Sequence, residues 1–290
     1  MTNLNPWCSR LALSLSMATS LASSLVAAPQ QPAADHERDQ EVAFQPGRET
    51  IEIDGTEVSL PWRLLRPDSA SADSPKPLVV FLHGAGERGD DNLSTMAHFP
   101  RRWVSEPHLG SRHHAFVLVM QCPRNDTWTR VRRDGDGRWL AAAEALPTSP
   151  MLALEQAIAR IAQDPAVDRS RIYVTGLSMG GFGSWDLARR HPEWFAAVVP
   201  VCGGCDPTAA AGFVASRVPV WAVHGGADTV VPPSASRDMV EAIRSAGGSV
   251  GYTELPGVGH DSWTMAYGPG GCIEWMFAQQ RGEPASIPAP

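Results

Sequence analysis

At 290 residues and 43% hydrophobic content, the chain can bury one large core. A net charge of −7 disfavours nucleic acid and anionic membranes as partners. The sole C-x-x-C, Cys202-Gly203-Gly204-Cys205, has no second ligand pair at matching spacing, which argues against a zinc site.

In chain order, a single charge, Arg10, precedes the apolar stretch 11–28, and Val26-Ala27-Ala28 forms a small-residue cleavage site. Residues 1–28 therefore predict a signal peptide and an exported protein. The stretch is too rich in serine for a stable membrane span. Residues 29–45 read as a disordered linker, 46–282 as one catalytic domain and 283–290 as a flexible tail. Residues 49–53 and 58–65, joined at Asp54-Gly55, predict an antiparallel hairpin at a sheet edge. The apolar run 78–82 predicts a central strand buried on both faces. It ends in His83-Gly84-Ala85-Gly86-Glu87-Arg88-Gly89-Asp90-Asp91-Asn92, whose glycines let the backbone present N–H groups. No G-K-S/T follows, so this loop is not a phosphate cradle.

The next strand is expected at 116–121. Residues 122–147 form a polar insertion with Trp128 and Trp139 among Arg130, Arg132 and Arg133, the kind of segment that binds substrate. Either Trp128 stacks on a sugar or aromatic ring, or it closes the edge of the core. Ser149 as N-cap with Pro150 behind it starts a helix in which Met151, Leu154, Ile158 and Ile161 mark the packed face. Further strands are expected at 172–175, 197–201, 218–223 and 250–255, and further helices at 182–190, 233–246 and 263–280. There is no internal repeat.

Between the strand at 172–175 and the helix at 182–190 lies Gly176-Leu177-Ser178-Met179-Gly180, a G-x-S-x-G turn in strand–turn–helix context. Such a turn holds a serine exposed and strained, and its crowded neighbours must be small. An acid and then a histidine are expected downstream. Asp228 follows the 218–223 strand and His260 follows the 250–255 strand, both in loops at strand ends. Asp228 would orient His260, and His260 would take the Ser178 proton. Asp206 and Asp261 compete for the acid. His83 and His224 are read as backbone-bonding residues, because neither comes after the acid. The N–H groups of Ala85 and Met179 are the expected oxyanion donors. Trp263, three residues after His260, is either a substrate contact or core packing.

The strings at 83–92, 121–128, 171–188, 224–232 and 257–263 resemble the α/β-hydrolase superfamily, in particular its secreted esterase branch of polyhydroxybutyrate-depolymerase-like, feruloyl-esterase-like and predicted-peptidase-like proteins. The resemblance implies a single α/β-hydrolase domain with a mostly parallel sheet, an antiparallel N-terminal hairpin and helices on both faces; many members insert a helical lid at the place of 202–217, and this short glycine/alanine-rich stretch leaves no room for a large one. It implies Ser178, Asp228 and His260 as catalytic residues, with Ala85 and Met179 in the oxyanion hole. It also implies a serine carboxylic-ester hydrolase needing no metal or cofactor. Its substrate would be a short-chain, carbohydrate-linked or polymeric ester. Cys205 departs from the small residue expected there, and a Cys202–Cys205 disulfide or buried thiols are both open. A serine peptidase of the same fold, or a non-catalytic binding protein on this scaffold, are the alternatives. Oligomeric state is not legible.

Overall fold

Along β3 (Lys76–Leu82) the side chains of Leu78, Val80 and Leu82 join one apolar cluster, while Val79 and Phe81 join a second. β4 (Phe116–Met120) alternates in the same way, Phe116, Leu118 and Met120 against Val117 and Val119. Strands apolar at every position must be covered on both faces. The computed structural model, which describes residues 43–133, 135, 139–141 and 146–285, shows that they are. The predicted signal peptide and most of the predicted linker lie outside the described residues, as does the end of the tail.

Eight strands form one sheet, in the spatial order β1 (Phe44–Ile53), β2 (Thr56–Leu65), β4, β3, β7 (Val167–Leu177), β8 (Ala197–Val201), β9 (Trp221–Gly225) and β10 (Gly251–Leu255). β1 and β2 make the expected antiparallel hairpin, turning at Asp54 and Gly55, both at positive φ. β2 pairs antiparallel with β4. From β4 onward every pairing is parallel, through β7, β8, β9 and β10. One face carries the helices Ser149–Ile161, Met179–Arg190 and Ser234–Ser245, which contribute Leu154, Ile158, Trp185, Met239 and Ile243 to its core. The other carries Phe99–Ser105 and Cys272–Phe277, through Phe99, Trp103, Ile273 and Met276.

The structure differs from the sequence reading in several places. β1 begins at Phe44, which is fully buried and paired with Leu65, so the end of the predicted linker is strand. The helix at 149 is capped by Thr148, whose hydroxyl accepts from Met151 N; Ser149 is already helical. The single helix predicted at 263–280 is two short ones, Trp263–Ala266 and Cys272–Phe277. Gly268-Pro269-Gly270-Gly271 breaks it: a proline cannot continue the hydrogen-bond ladder, and Gly270 sits at φ +74. The insertion contains a hairpin, β5 (Val131–Arg133) with β6 (Trp139–Ala141), rather than bare loop. Trp128 is wholly buried and donates to the His83 carbonyl, so it closes the core edge and has no face to offer a substrate.

Cys122, Cys202, Cys205 and Cys272 are free and buried, so no Cys202–Cys205 disulfide forms. Burial pushes Cys202, Cys205 and Cys272 up to about 12 and raises Cys122 as well. A thiol kept neutral is a poor nucleophile. Native protein at pH 8 is therefore expected to give almost no reaction with Ellman's reagent, and guanidinium should expose these four thiols together. Rapid labelling of the folded chain would contradict the packing.

Candidate active site

The parallel strands all end on one edge of the sheet, and the predicted residues gather there. β7 runs into Ser178, which initiates the helix Met179–Arg190 at φ 55 and ψ −118. That backbone conformation is sparsely populated for a side-chain-bearing residue. It is enforced from both sides. A Cβ on Gly176 would stand 2.6 Å from the Leu82 carbonyl oxygen, and one on Gly180 only 1.9 Å from the same atom. Only glycine lets the turn close against the end of β3. Ser178 N donates to the Val201 carbonyl at 2.9 Å and approaches Cys202 Sγ at 3.3 Å, which anchors the strained residue from below.

The Ser178 hydroxyl faces His260 Nε2 at 2.9 Å, and His260 Nδ1–H donates to Asp228 Oδ2 at 2.7 Å. Asp228 is 5% exposed, and three hydrogen bonds hold its carboxylate. Oδ1 accepts from Val230 N at 2.8 Å and Val231 N at 3.0 Å; Oδ2 takes His260 and lies 3.3 Å from His224 Nε2. His224 stands at the end of β9, not in a loop, and Nε2 also meets the Val231 carbonyl at 2.9 Å. Two acceptors at Nε2 place the proton on that nitrogen. His224 thus bonds backbone as expected and, unforeseen, also braces Asp228.

The competing acids are elsewhere. Asp206 caps the turn Pro207–Ala209, accepting from Thr208 N at 3.0 Å, and reaches toward Arg132. Asp261 is exposed. The ligand atoms of Cys202, Asp228 and His260 lie within 4.8 Å of one another, the one such group among the described residues. Two of these atoms already share a proton, and the thiol is held neutral by burial. The arrangement suits proton transfer better than coordination.

Ala85 and Met179 are the first residues of their helical turns, so neither N–H has an intrahelical acceptor. The Ala85 loop is held in place by side chains. His83 Nδ1–H donates to the Gly84 carbonyl at 2.6 Å while Nε2 accepts from Cys122 N at 3.0 Å. Gln121 donates to the Glu87 carbonyl and to Asp91, and accepts from Asn92 N. Trp263 is partly buried, its ring edge-on to that of His260 at 5.4 Å.

Burial lowers His83 to about 4 from an ordinary 6.5, against an opposing hydrogen bond to Gly84. His224 is lowered too, again chiefly by burial. A histidine buried neutral favours the fold fully above its unfolded pKa, and that contribution is lost as pH falls through 6.5 toward 4. For His83 the loss is on the order of 3 kcal/mol. Urea unfolding at pH 7 and pH 4 should therefore differ by at least that order. His83→Gln, which keeps a donor and an acceptor, should narrow the gap, and an equal gap in both proteins would contradict the assignment.

This sheet, with a serine at the β7 turn and an acid and histidine on the loops after β9 and β10, is that of an α/β-hydrolase. The chain belongs to the phospholipase/carboxylesterase family, whose sequence profile matches residues 69–267. It is similar to the crystal structure of a thermostable esterase, with a TM-score of 0.70 and 36% identity over 83% of this chain and 64% of that one. It is 27% identical over 129 residues to poly(3-hydroxyalkanoate) depolymerase C of Paucimonas lemoignei, covering 44% of this chain and 28% of that protein. Probable feruloyl esterase C of Aspergillus oryzae is 24% identical over 197 residues, 68% of this chain and 65% of that one. The chain thus spans less than two thirds of each of these relatives. No helix among the described residues is long and apolar enough to cross a membrane.

Proposed function

We propose that this chain is an exported serine hydrolase that cleaves carboxylic esters through an acyl-enzyme intermediate, with 46–282, extended back to Phe44, as the catalytic domain. Ser178 Oγ attacks the ester carbonyl carbon as its proton passes to His260 Nε2. The N–H groups of Ala85 and Met179 hold the oxyanion. Collapse breaks the bond to the alcohol oxygen, which leaves with the proton from His260. Water, deprotonated by the same nitrogen, then releases the acid and restores Ser178. Asp228 keeps the His260 proton on Nδ1, so that Nε2 is free to accept. The observation that carries this reading is the continuous relay of 2.9 Å and 2.7 Å from Ser178 through His260 to Asp228.

Short or polar esters fit this site best. The helix Ala210–Ser216, where a lid would be inserted, instead packs Phe213 against Trp185 on the helical layer. A fluorophosphonate probe should label the folded protein at Ser178, located by peptide mapping. Turnover of p-nitrophenyl acetate and butyrate should exceed that of palmitate. An unlabelled protein, or labelling at another residue, would remove the serine-hydrolase reading. Preference for palmitate would return a lipase.

A further inference from the structure

His98 has almost the same backbone conformation as Ser178. Its φ is 60 and its ψ −112, at the start of the helix Phe99–Ser105. A side-chain-bearing residue held there is strained, and such strain persists only where the surroundings impose it. The surroundings are those of the ester site. On one side His98 Nε2 meets Glu87 Oε1 at 3.4 Å, and Glu87 belongs to the same short turn as Ala85. On the other side its ring packs against Trp263 at 5.2 Å, and Trp263 packs against His260. His98 therefore bridges the loop carrying the expected oxyanion donor and the wall carrying the expected base. About a third of its side chain is open to solvent.

Its chemistry is set by its partner. Burial pushes the Glu87 carboxyl up, but His98 facing it outweighs this, and the group lies below its ordinary value. A carboxylate is acceptor-only, so the Nε2 facing it carries the proton. With the proton on Nε2 the ring's lone pair lies on Nδ1, and among the described residues nothing is hydrogen-bonded to that atom. The other Glu87 oxygen, Oε2, is buried without a hydrogen-bond partner. The carboxylate thus depends on His98, and the fold is not the obvious beneficiary of a strained, half-open pair.

We propose that His98, fixed by Glu87, is a specificity-determining residue whose Nδ1 accepts a hydrogen bond from a hydroxyl on the substrate, close to the scissile ester. The inference rests on Ser178 being the nucleophile. It selects esters that carry a hydroxyl on the acyl chain or on the alcohol over equally short esters that lack one. A site that offers an acceptor discriminates against an analogue with no donor, because the acceptor is then left unpaired.

The test compares kcat/KM for p-nitrophenyl 3-hydroxybutyrate and p-nitrophenyl butyrate, which share a leaving group. A parallel pair, 2-hydroxyethyl butyrate and propyl butyrate, places the hydroxyl on the alcohol instead. His98→Phe keeps a ring against Trp263 and removes the acceptor. It should lower the hydroxy-to-plain ratio roughly tenfold in one of the two pairs, the size of one neutral hydrogen bond. His98→Gln offers an amide N–H to Glu87 and a carbonyl oxygen to the substrate, and should restore much of the ratio. If His98→Phe fails to fold because Glu87 is left unpaired, Glu87→Met with His98→Phe removes the charge as well, and the same fall is expected. A fall in the acyl pair or in the alcohol pair supports the proposal and says which side bears the hydroxyl. Unchanged ratios in a folded variant that still hydrolyses both esters overturn it and leave the esterase reading standing. A wild-type protein that hydrolyses none of the four esters overturns both.

Discussion

Ser178→Ala is expected to fold as the wild type does and to lose ester turnover by on the order of 10⁶-fold, as knockouts of a serine nucleophile do. The fold should survive because the serine side chain supports nothing else. Among the described residues its hydroxyl meets only His260 Nε2, and the strained turn is held by backbone bonding to Val201 and by Gly176 and Gly180. Alanine and serine suffer the same penalty at φ 55, so the substitution should leave the unfolding midpoint nearly unchanged. Turnover falls because, among the described residues, the hydroxyl bonded to His260 Nε2 is that of Ser178. The measurement pairs p-nitrophenyl butyrate hydrolysis with a thermal melt on protein free of host esterases. More than a few per cent of wild-type activity in a properly folded variant would sink the assignment.

Asp228→Asn is the second large effect, a loss of roughly 10⁴-fold on the tautomer argument. The surroundings make the outcome directional. Oδ1 of Asp228 accepts two backbone N–H groups, from Val230 and Val231. An asparagine must turn its own oxygen toward them, because an amide nitrogen there would face two donors. Its NH2 is thereby aimed at His260 Nδ1, which must then accept, and the histidine proton moves to Nε2, where it blocks uptake of the Ser178 proton. The same NH2 also opposes His224 Nε2–H, which adds a cost to stability. Asp206→Asn should do little, since asparagine caps a helical turn as well as aspartate. The two variants are compared by kcat with one aryl ester. A larger loss at 206 than at 228 would move the acid.

Much of this was legible in the residues. The apolar runs, the glycine-flanked serine and the order of acid and histidine each reflect a local constraint, so they survive reading without coordinates. The sheet, its antiparallel hairpin and the two covered faces follow from patterning. What the residues leave open or misplace depends on contacts remote in sequence. Trp128 reads equally as a binding residue or as the edge of the core, because its neighbours are polar. Only the fold shows its indole donating to the His83 carbonyl, 45 positions away. The helix predicted at 263–280 runs through Gly268-Pro269-Gly270-Gly271, because apolar spacing on both sides masks the break. His98 and Glu87 carry no motif signal, because strained φ and a bare imidazole nitrogen are properties of the backbone path. A histidine standing just before an apolar helix was the one available hint.

The four buried thiols have a consequence for how the protein comes to be folded. Each is packed into the core as a small apolar group, and none is bonded to another. Among the described residues, native structure therefore waits on no thiol oxidation and no disulfide shuffling. Folding should proceed equally well with or without a reductant, so the chain can mature on either side of a membrane and be produced in a reducing host without rearranging its cysteines. Esterase activity recovered after refolding in dithiothreitol should equal that recovered in air.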